Sequence, residues 1–401
     1  MKFVENMSNI TTFWDTLPRP IIGLSPMNGV TDHAFRHIQK KHGNPMLLFT
    51  EFTSVDGICA GARALLKDFL YDESQRPIIG QIYGRVPGNF YQTALVLCQL
   101  GFDGIDINMG CPSKSVASSG AGAGLIRTPE LAQEIVRATK QAVSDWQNGA
   151  TVHDCVDVPA SLAQEVISRH VRLPVAFQKP RPVPVSVKTR IGYAESQVEE
   201  WIPRLLETEP AAISLHGRTL TQGYAGDADW DVIGRAAEIA HGSDTPLLGN
   251  GDLRTLDDAH ARIGDYGVDG ALIGRASYGN PYVFRADLPQ AGADQVDSQM
   301  HSQMHSDPTH ALDAGRYDVL HIALEHARLY EASFSHLDRY MFLPMRKHLG
   351  WYVRHLPGAS HLRRTLLQTS SLDEAVGIIE EYLDYRQVWD RQNAEKLRVA
   401  V

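Results

Sequence analysis

The chain has 401 residues, 43% of them hydrophobic, four cysteines and a formal net charge of -9. This length accommodates one large domain of about 250 to 300 residues plus a smaller one, and four cysteines without a CxxC pair argue against a disulfide framework and for reduced thiols. The N-terminus has no basic start leading into an apolar core, and no apolar run approaches the ~18 residues of a membrane span, so a cytoplasmic protein with no membrane partner is expected; a monomer is expected as well.

Short β-branched runs, each followed by glycine or polar residues and then by a helical pattern, read as buried parallel strands of βα units. Eight occur in order: "IIGLSPM" (21 to 27), "LLFTEF" (47 to 52), "PIIGQIYG" (77 to 84), "GIDINMG" (104 to 110), "VPVSVKTR" (183 to 190), "AISLHGRT" (212 to 219), "PLLGNGD" (246 to 252) and "GALIGRA" (270 to 276). Helical stretches such as "NFYQTALVLCQLGF" and "TPELAQEIVRATKQAVSDW" fill the gaps. Eight alternations in about 260 residues match a (β/α)8 TIM barrel, here over residues 1–285. The interval at 147–183 is long, polar and proline-bearing and reads as a surface insertion; its adjacent His153, Asp154 and Cys155 suit a loop better than a metal site. Residues 286–314, with an SQMH tandem repeat and no period, read as a flexible linker. From 315 to 401 the pattern is helical throughout and predicts a small bundle.

In such a barrel, chemistry occurs at the C-terminal ends of the strands. Seven of the eight strands deliver polar groups there: Pro26, Met27 and Asn28; Gln81; Asn108 and Cys111; Lys188 and Arg190; His216 and Arg218; Asn250 and Asp252; Gly274 and Arg275, Gln81 lying within its strand. An open doubly wound sheet does not predict that convergence. The NGD and IGRA turns after strands seven and eight suit a phosphate, since glycine lets backbone N–H groups approach an oxyanion and arginine adds charge. Lys188 then lies along the ligand's body, where two chemistries fit: a Schiff base with a carbonyl substrate, or charge balance at the pyrimidine edge of a reduced flavin mononucleotide, FMN. The carboxamides of Gln81 and Asn108 favour the flavin or a uracil ring.

The cations are unevenly spread. From Arg339 to Arg364 the chain carries Arg346, Lys347, Arg354 and Arg363 with no acid, interleaved with Tyr340, Trp351 and Tyr352. The cations suit RNA phosphate, whereas the aromatics suit a core with Leu349.

"LSPMNGVTDHAFR", "DINMGCPSK" with "GAGAGLI", "VSVKTRIG", "SLHGRT", "GNGD" and "ALIGRA", in this order, resemble the tRNA-dihydrouridine synthases, flavoenzymes that reduce uridine in the D-loop of tRNA. The resemblance spans residues 20 to 285, and "MRKHLGWYVRHL" and "HLRRT" are similar to the helical RNA-binding domain of the bacterial, nitrogen-regulation-like branch. It implies an FMN cofactor recharged by NADPH and a tRNA substrate. By this resemblance Pro26, Met27, Asn28, Gln81, Lys188, His216, Asn250, Gly251, Asp252, Gly274 and Arg275 bind the flavin. Cys111 matches the catalytic cysteine and Asn108 a residue near the substrate uracil; Arg190 and Arg218 at the rim, and Arg346, Lys347 and Arg354 in the basic stretch, are expected as further substrate contacts. A thiol with an ordinary pKa near 8.5 is mostly protonated at neutral pH and can serve as the general acid. The small residues from Ala117 to Gly124 then form a loop expected to open for an extruded base.

Three other readings predict different observations. A dehydrogenase acting on free dihydroorotate or dihydropyrimidine has no use for a basic helical domain, a non-catalytic RNA-binding module is colourless, and a Schiff-base lyase is trapped on Lys188 by borohydride.

Overall fold

In the computed structural model, residues 12–287, 318–338 and 340–399 are described. Nine parallel strands form one sheet: β1 (Ile21–Leu24), β2 (Leu48–Phe49), β3 (Thr53–Ser54), β4 (Ile78–Tyr83), β5 (Gly104–Met109), β6 (Val185–Arg190), β7 (Ile213–His216), β8 (Leu247–Asn250) and β9 (Gly270–Ile273). The order is β1-β9-β8-β7-β6-β5-β4-β2, and a parallel bridge between Gly23 and Leu47 joins the two ends. This is the predicted (β/α)8 barrel. The second predicted strand, 47 to 52, shortens to β2, and β3 follows just beyond it, both paired with β4. Between them Thr50 turns its hydroxyl to accept the Gln81 N–H at 2.9 Å, so the ladder passes locally from backbone to side chain.

The strand faces follow a period of two. Parallel register pairs Gln81 with Asp106, Asp106 with Ser186, Asn108 with Lys188, and His216 with Asn250, which puts all of these on one face. That face is the barrel interior, because Lys188 on β6 bonds Asn250 on β8, a strand that is not its neighbour. Ile105, Ile107 and Val187 alternate with them and are fully buried on the other face. At the base of the barrel, Trp14, Ile21, Leu47, Phe49, Ile79, Ala212, Leu248 and Leu272 form a closed apolar cluster. Each such large side chain contributes about 1.5–3 kcal/mol on burial, which keeps water out beneath the polar layer.

The insertion is more ordered than a loop. It holds a 3-10 turn, Val152–Asp154, and a helix, Ala160–His170, packed on the helix Pro87–Gln99. Cys155 is buried there, its thiol directed at the Gln92 carbonyl at 3.6 Å. Among the described residues there is no group of three or more potential metal ligands, and no helix is long and apolar enough to cross a membrane.

The chain divides into two compact units. One comprises the chain up to Asp32 with Pro45–Leu253 and Asp257–Gly274; the other comprises His33–Asn44, Arg254–Leu256 and the chain from Arg275. In the second unit the helix Asp318–Phe334 packs against His33–His42, Met345–Tyr352 and Leu372–Val399. Its centre holds Phe35, His326, His348 and Tyr352, all buried, and Tyr278 stacks on Trp351 with ring centroids 4.0 Å apart. Arg339 and the stretch predicted as a linker, apart from residues 286 and 287, lie outside the described residues.

Candidate active site

Cys111 follows β5 and is 8% exposed. Asn108 Oδ1 accepts the backbone N–H of Cys111 at 2.9 Å and that of Gly110 at 3.2 Å, and Arg190 Nε donates to the Gly110 carbonyl at 2.7 Å. The turn carrying the thiol is therefore held from two strands. Burial pushes the Cys111 thiol above its ordinary value, against smaller opposing effects of the Ser113 backbone N–H and the Arg190 charge. The sulfur is a protonated thiol at neutral pH, suited to giving a proton rather than attacking as a thiolate.

Beneath it lies a buried polar layer made of two hydrogen-bonded groups. Asn108 Nδ2 donates to Gln81 Oε1 at 3.0 Å, Gln81 Nε2 to Asp106 Oδ2 at 2.8 Å, and Ser186 Oγ to Asp106 Oδ1 at 2.6 Å. Lys188 Nζ donates to Asn250 Oδ1 at 2.9 Å, and Asn250 Nδ2 to the Leu272 carbonyl at 2.8 Å. Burial lowers Lys188 to about 8, with Arg190 adding to the effect and Asp106 opposing it. A lysine so placed alters its charge readily when an anion arrives.

On the far side of the barrel, Gly251 has φ +133°, and a Cβ on it would lie 2.5 Å from the Ala228 Cβ and within 3.5 Å of the His216 ring. Only glycine fits that turn. Asp252 Oδ2 accepts from Arg218 Nη2 and from the Ala228 N–H, both at 2.7 Å, while Arg218 Nε reaches the carbonyls of Ala225 and Gly226. Arg218 is 2% exposed, so much of its guanidinium is committed to clamping the loop after β7 onto the NGD turn. Its Nη1 is buried and has no partner among the described residues. Pro26 and Met27 are half-buried and Asn28 is exposed; a Cβ on Gly274 would lie 3.5 Å from the Met27 sulfur. Arg275 opens the 3-10 turn Arg275–Ser277 and groups with the second unit.

The small residues after Cys111 are not an open loop. Lys114–Ser118 is a short helix and Gly122–Arg127 a 3-10 turn, with Ala117, Ala121 and Ala123 buried. Gly122 has φ +56°, and its missing Cβ would stand 2.9 Å from Val116 and 3.2 Å from Cys111. Close packing around the thiol explains the composition that the sequence reading assigned to mobility.

In the second unit, Arg346 is half-buried and donates to the carbonyls of Thr369 and Gln368 at 2.6 and 3.0 Å. Lys347 is half-buried, and Arg354, Arg363 and Arg364 are exposed. Leu349 and Tyr352 are buried, as the core reading expects.

A family model described as "Dihydrouridine synthase (Dus)" matches residues 23–153 and 165–388. The chain belongs to the dihydrouridine synthase family. Among curated members of that family, the chain is 30% identical over 375 residues to the "Probable tRNA-dihydrouridine synthase" of Staphylococcus aureus (strain COL), covering 92% of this chain and 95% of the relative. It is 29% identical over 377 residues to the "Probable tRNA-dihydrouridine synthase 2" of Bacillus subtilis (strain 168), covering 92% and 96%. The stretch between the two matched parts of the family model, 154–164, lies within the insertion. A solved structure titled "Crystal structure of DHODH in complex with ferulenol from Eimeria tenella" is similar at a TM-score of 0.36 and 14% identity, over 53% of this chain and 56% of that one.

Two members of the buried layer, Asp106 and Ser186, were not among the residues read as functional from sequence. A signal was present: in "GIDINMG" the acid stands two residues before Asn108, on the same strand face and inside an otherwise apolar run, where an unpartnered carboxylate is costly.

Proposed function

We propose that this protein is a tRNA-dihydrouridine synthase that reduces the C5=C6 bond of a D-loop uridine with FMN and NADPH. The observation that carries this reading is the buried turn of Cys111, fixed by Asn108 at the same barrel end as the buried amine of Lys188. The names of the relatives support tRNA as the substrate.

The donor set fits FMN. Lys188 would face the pyrimidine edge of the isoalloxazine, Gln81 and His216 would border the ring, and the NGD turn at Gly251 would take the phosphate side together with Asn250 and Gly274. Pro26, Met27 and Asn28 complete this set. The chemistry that FMN would supply when held by these residues, with NADPH as reductant, is hydride donation to one carbon of the C5=C6 bond. Cys111 gives its Sγ proton to the other carbon, which completes the addition of two hydrogens. Asn108 Oδ1 is saturated by two backbone N–H groups, so the carboxamide presents Nδ2 as a donor to a uracil carbonyl. Arg190 and Arg218 act mainly through the loops they brace. The helical unit binds tRNA through Arg346, Lys347 and Arg354, extruding a base at the expense of its stacking.

Cys111→Ala tests the reading. The variant should bind FMN and be reduced by NADPH as the parent is, yet form no dihydrouridine in tRNA. Full activity in that variant overturns the acid assignment, and a colourless protein that leaves tRNA unreduced overturns the function.

A further inference from the structure

We propose that Asp106 is a positioning residue for Cys111, acting through a directional chain of side-chain hydrogen bonds that runs Asp106, Gln81, Asn108, Cys111. This deepens the uridine-reducing reading of the site and rests on it for the catalytic consequence alone.

The argument is one of donor and acceptor polarity. A carboxylate can only accept, and Asp106 accepts on both oxygens, from Ser186 Oγ and from Gln81 Nε2. Gln81 must therefore turn its amino end toward Asp106 and its carbonyl end toward Asn108. Asn108 in turn must present Nδ2 to Gln81, which leaves Oδ1 to hold the N–H groups of Gly110 and Cys111. Each carboxamide taken alone is free to flip; the acid at the end of the row removes that freedom for both. Strand register supplies the spacing, since Gln81, Asp106 and Ser186 are direct partners across β4, β5 and β6. Asp106 and Gln81 are fully buried, so water does not compete for these bonds. Burial raises Asp106 to about 6, with Ser186, Gln81 and Lys188 opposing, and the donors that meet both of its oxygens are the partners a carboxylate acceptor requires. Replacement by asparagine keeps the volume but supplies a group that both donates and accepts, and the row loses its imposed direction.

The test uses the full-length protein and follows alkylation of its four cysteines by iodoacetamide with mass spectrometry. In Asp106→Asn, Cys111 should react about tenfold faster, as local opening of its turn becomes easier, while Cys59, Cys98 and Cys155 keep their parent rates. Unchanged reactivity at Cys111, or acceleration of all four together, overturns the proposal, the second because it reports general loosening. If Asp106→Asn yields no folded protein, Ser186→Ala decides; it removes one donor to the carboxylate and should raise Cys111 reactivity about threefold, and no rise overturns the proposal. In the catalytic arm, kcat for dihydrouridine formation should fall about tenfold in the same variant with KM for tRNA within about twofold, because a positioned acid acts in the transition state. A fall in affinity with kcat unchanged counts against Asp106. If the parent protein itself makes no dihydrouridine, the functional reading fails while the alkylation result still judges the residue.

Discussion

The helical unit should lose stability in mild acid through one buried pair. His326 and His348 are 0% and 1% exposed, with ring centroids 4.9 Å apart. The Tyr352 hydroxyl lies 3.2 Å from His326 Nδ1, whereas His326 Nε2 and both nitrogens of His348 have no partner among the described residues. Burial drives His326 down to about 3, against a weaker pull from Glu325, and drives His348 well below its ordinary value, with His326 and Lys347 adding to the effect. The sign follows from proton binding. Both rings stay neutral in the fold and take a proton near pH 6.5 once unfolded, so stability is complete above that pH and declines as pH falls below it. At pH 5 the neutral His326 ring costs about 2 kcal/mol, with His348 acting in the same direction, a large share of the roughly 5–15 kcal/mol that holds a domain folded. Urea unfolding of the intact protein at pH 8, 6 and 5, followed by circular dichroism, measures this. Replacing both rings, as His326→Leu with His348→Leu, should remove at least about 2 kcal/mol of the difference between pH 8 and pH 5. An identical pH dependence in that double variant would refute the assignment.

Lys188→Met should weaken FMN binding at least about tenfold, read by flavin fluorescence, because it removes a buried cation placed to balance an anionic ring. With Lys188 near 8, FMN affinity of the parent protein should also decline as pH rises through that value. Gly251→Ala forces a side chain into a left-handed turn 2.5 Å from Ala228, so the protein should purify with little bound flavin while its far-ultraviolet circular dichroism is retained. Arg354→Ala should lower tRNA affinity and reduce the slope of log affinity against log salt by about 1, with no change in melting temperature. Arg346→Ala should lower the melting temperature as well, since the side chain also holds the Gln368 and Thr369 carbonyls.

The barrel was legible because buried parallel strands announce themselves as short apolar runs, and eight of them alternate with helices. The convergence of Asn108, Cys111, Lys188, His216 and Asn250 was legible for the same reason: polar residues at strand ends share one rim in this fold. Partnerships were not. Arg218 read as a substrate group, but the structure spends most of its guanidinium on Asp252 and the loop after β7. The run from Ala117 to Gly124 read as a mobile loop because small residues satisfy two opposite demands, freedom and close packing, and only the neighbours of Gly122 decide between them. The insertion hid its helix because its polar composition masks the few positions, such as Leu162 and Val166, that face the core.

Local chemistry alone thus determined the strand count, the residue types at the rim and the acidity available to a thiol in that setting. Tertiary structure decided which donor meets which acceptor. Asp106, Gln81, Asn108 and Ser186 stand on three strands separated by dozens of residues, and the direction of their hydrogen bonds exists only once register brings them side by side. Hydrogen bonds depend on position to within tenths of an ångström, and sequence encodes that only through the whole fold.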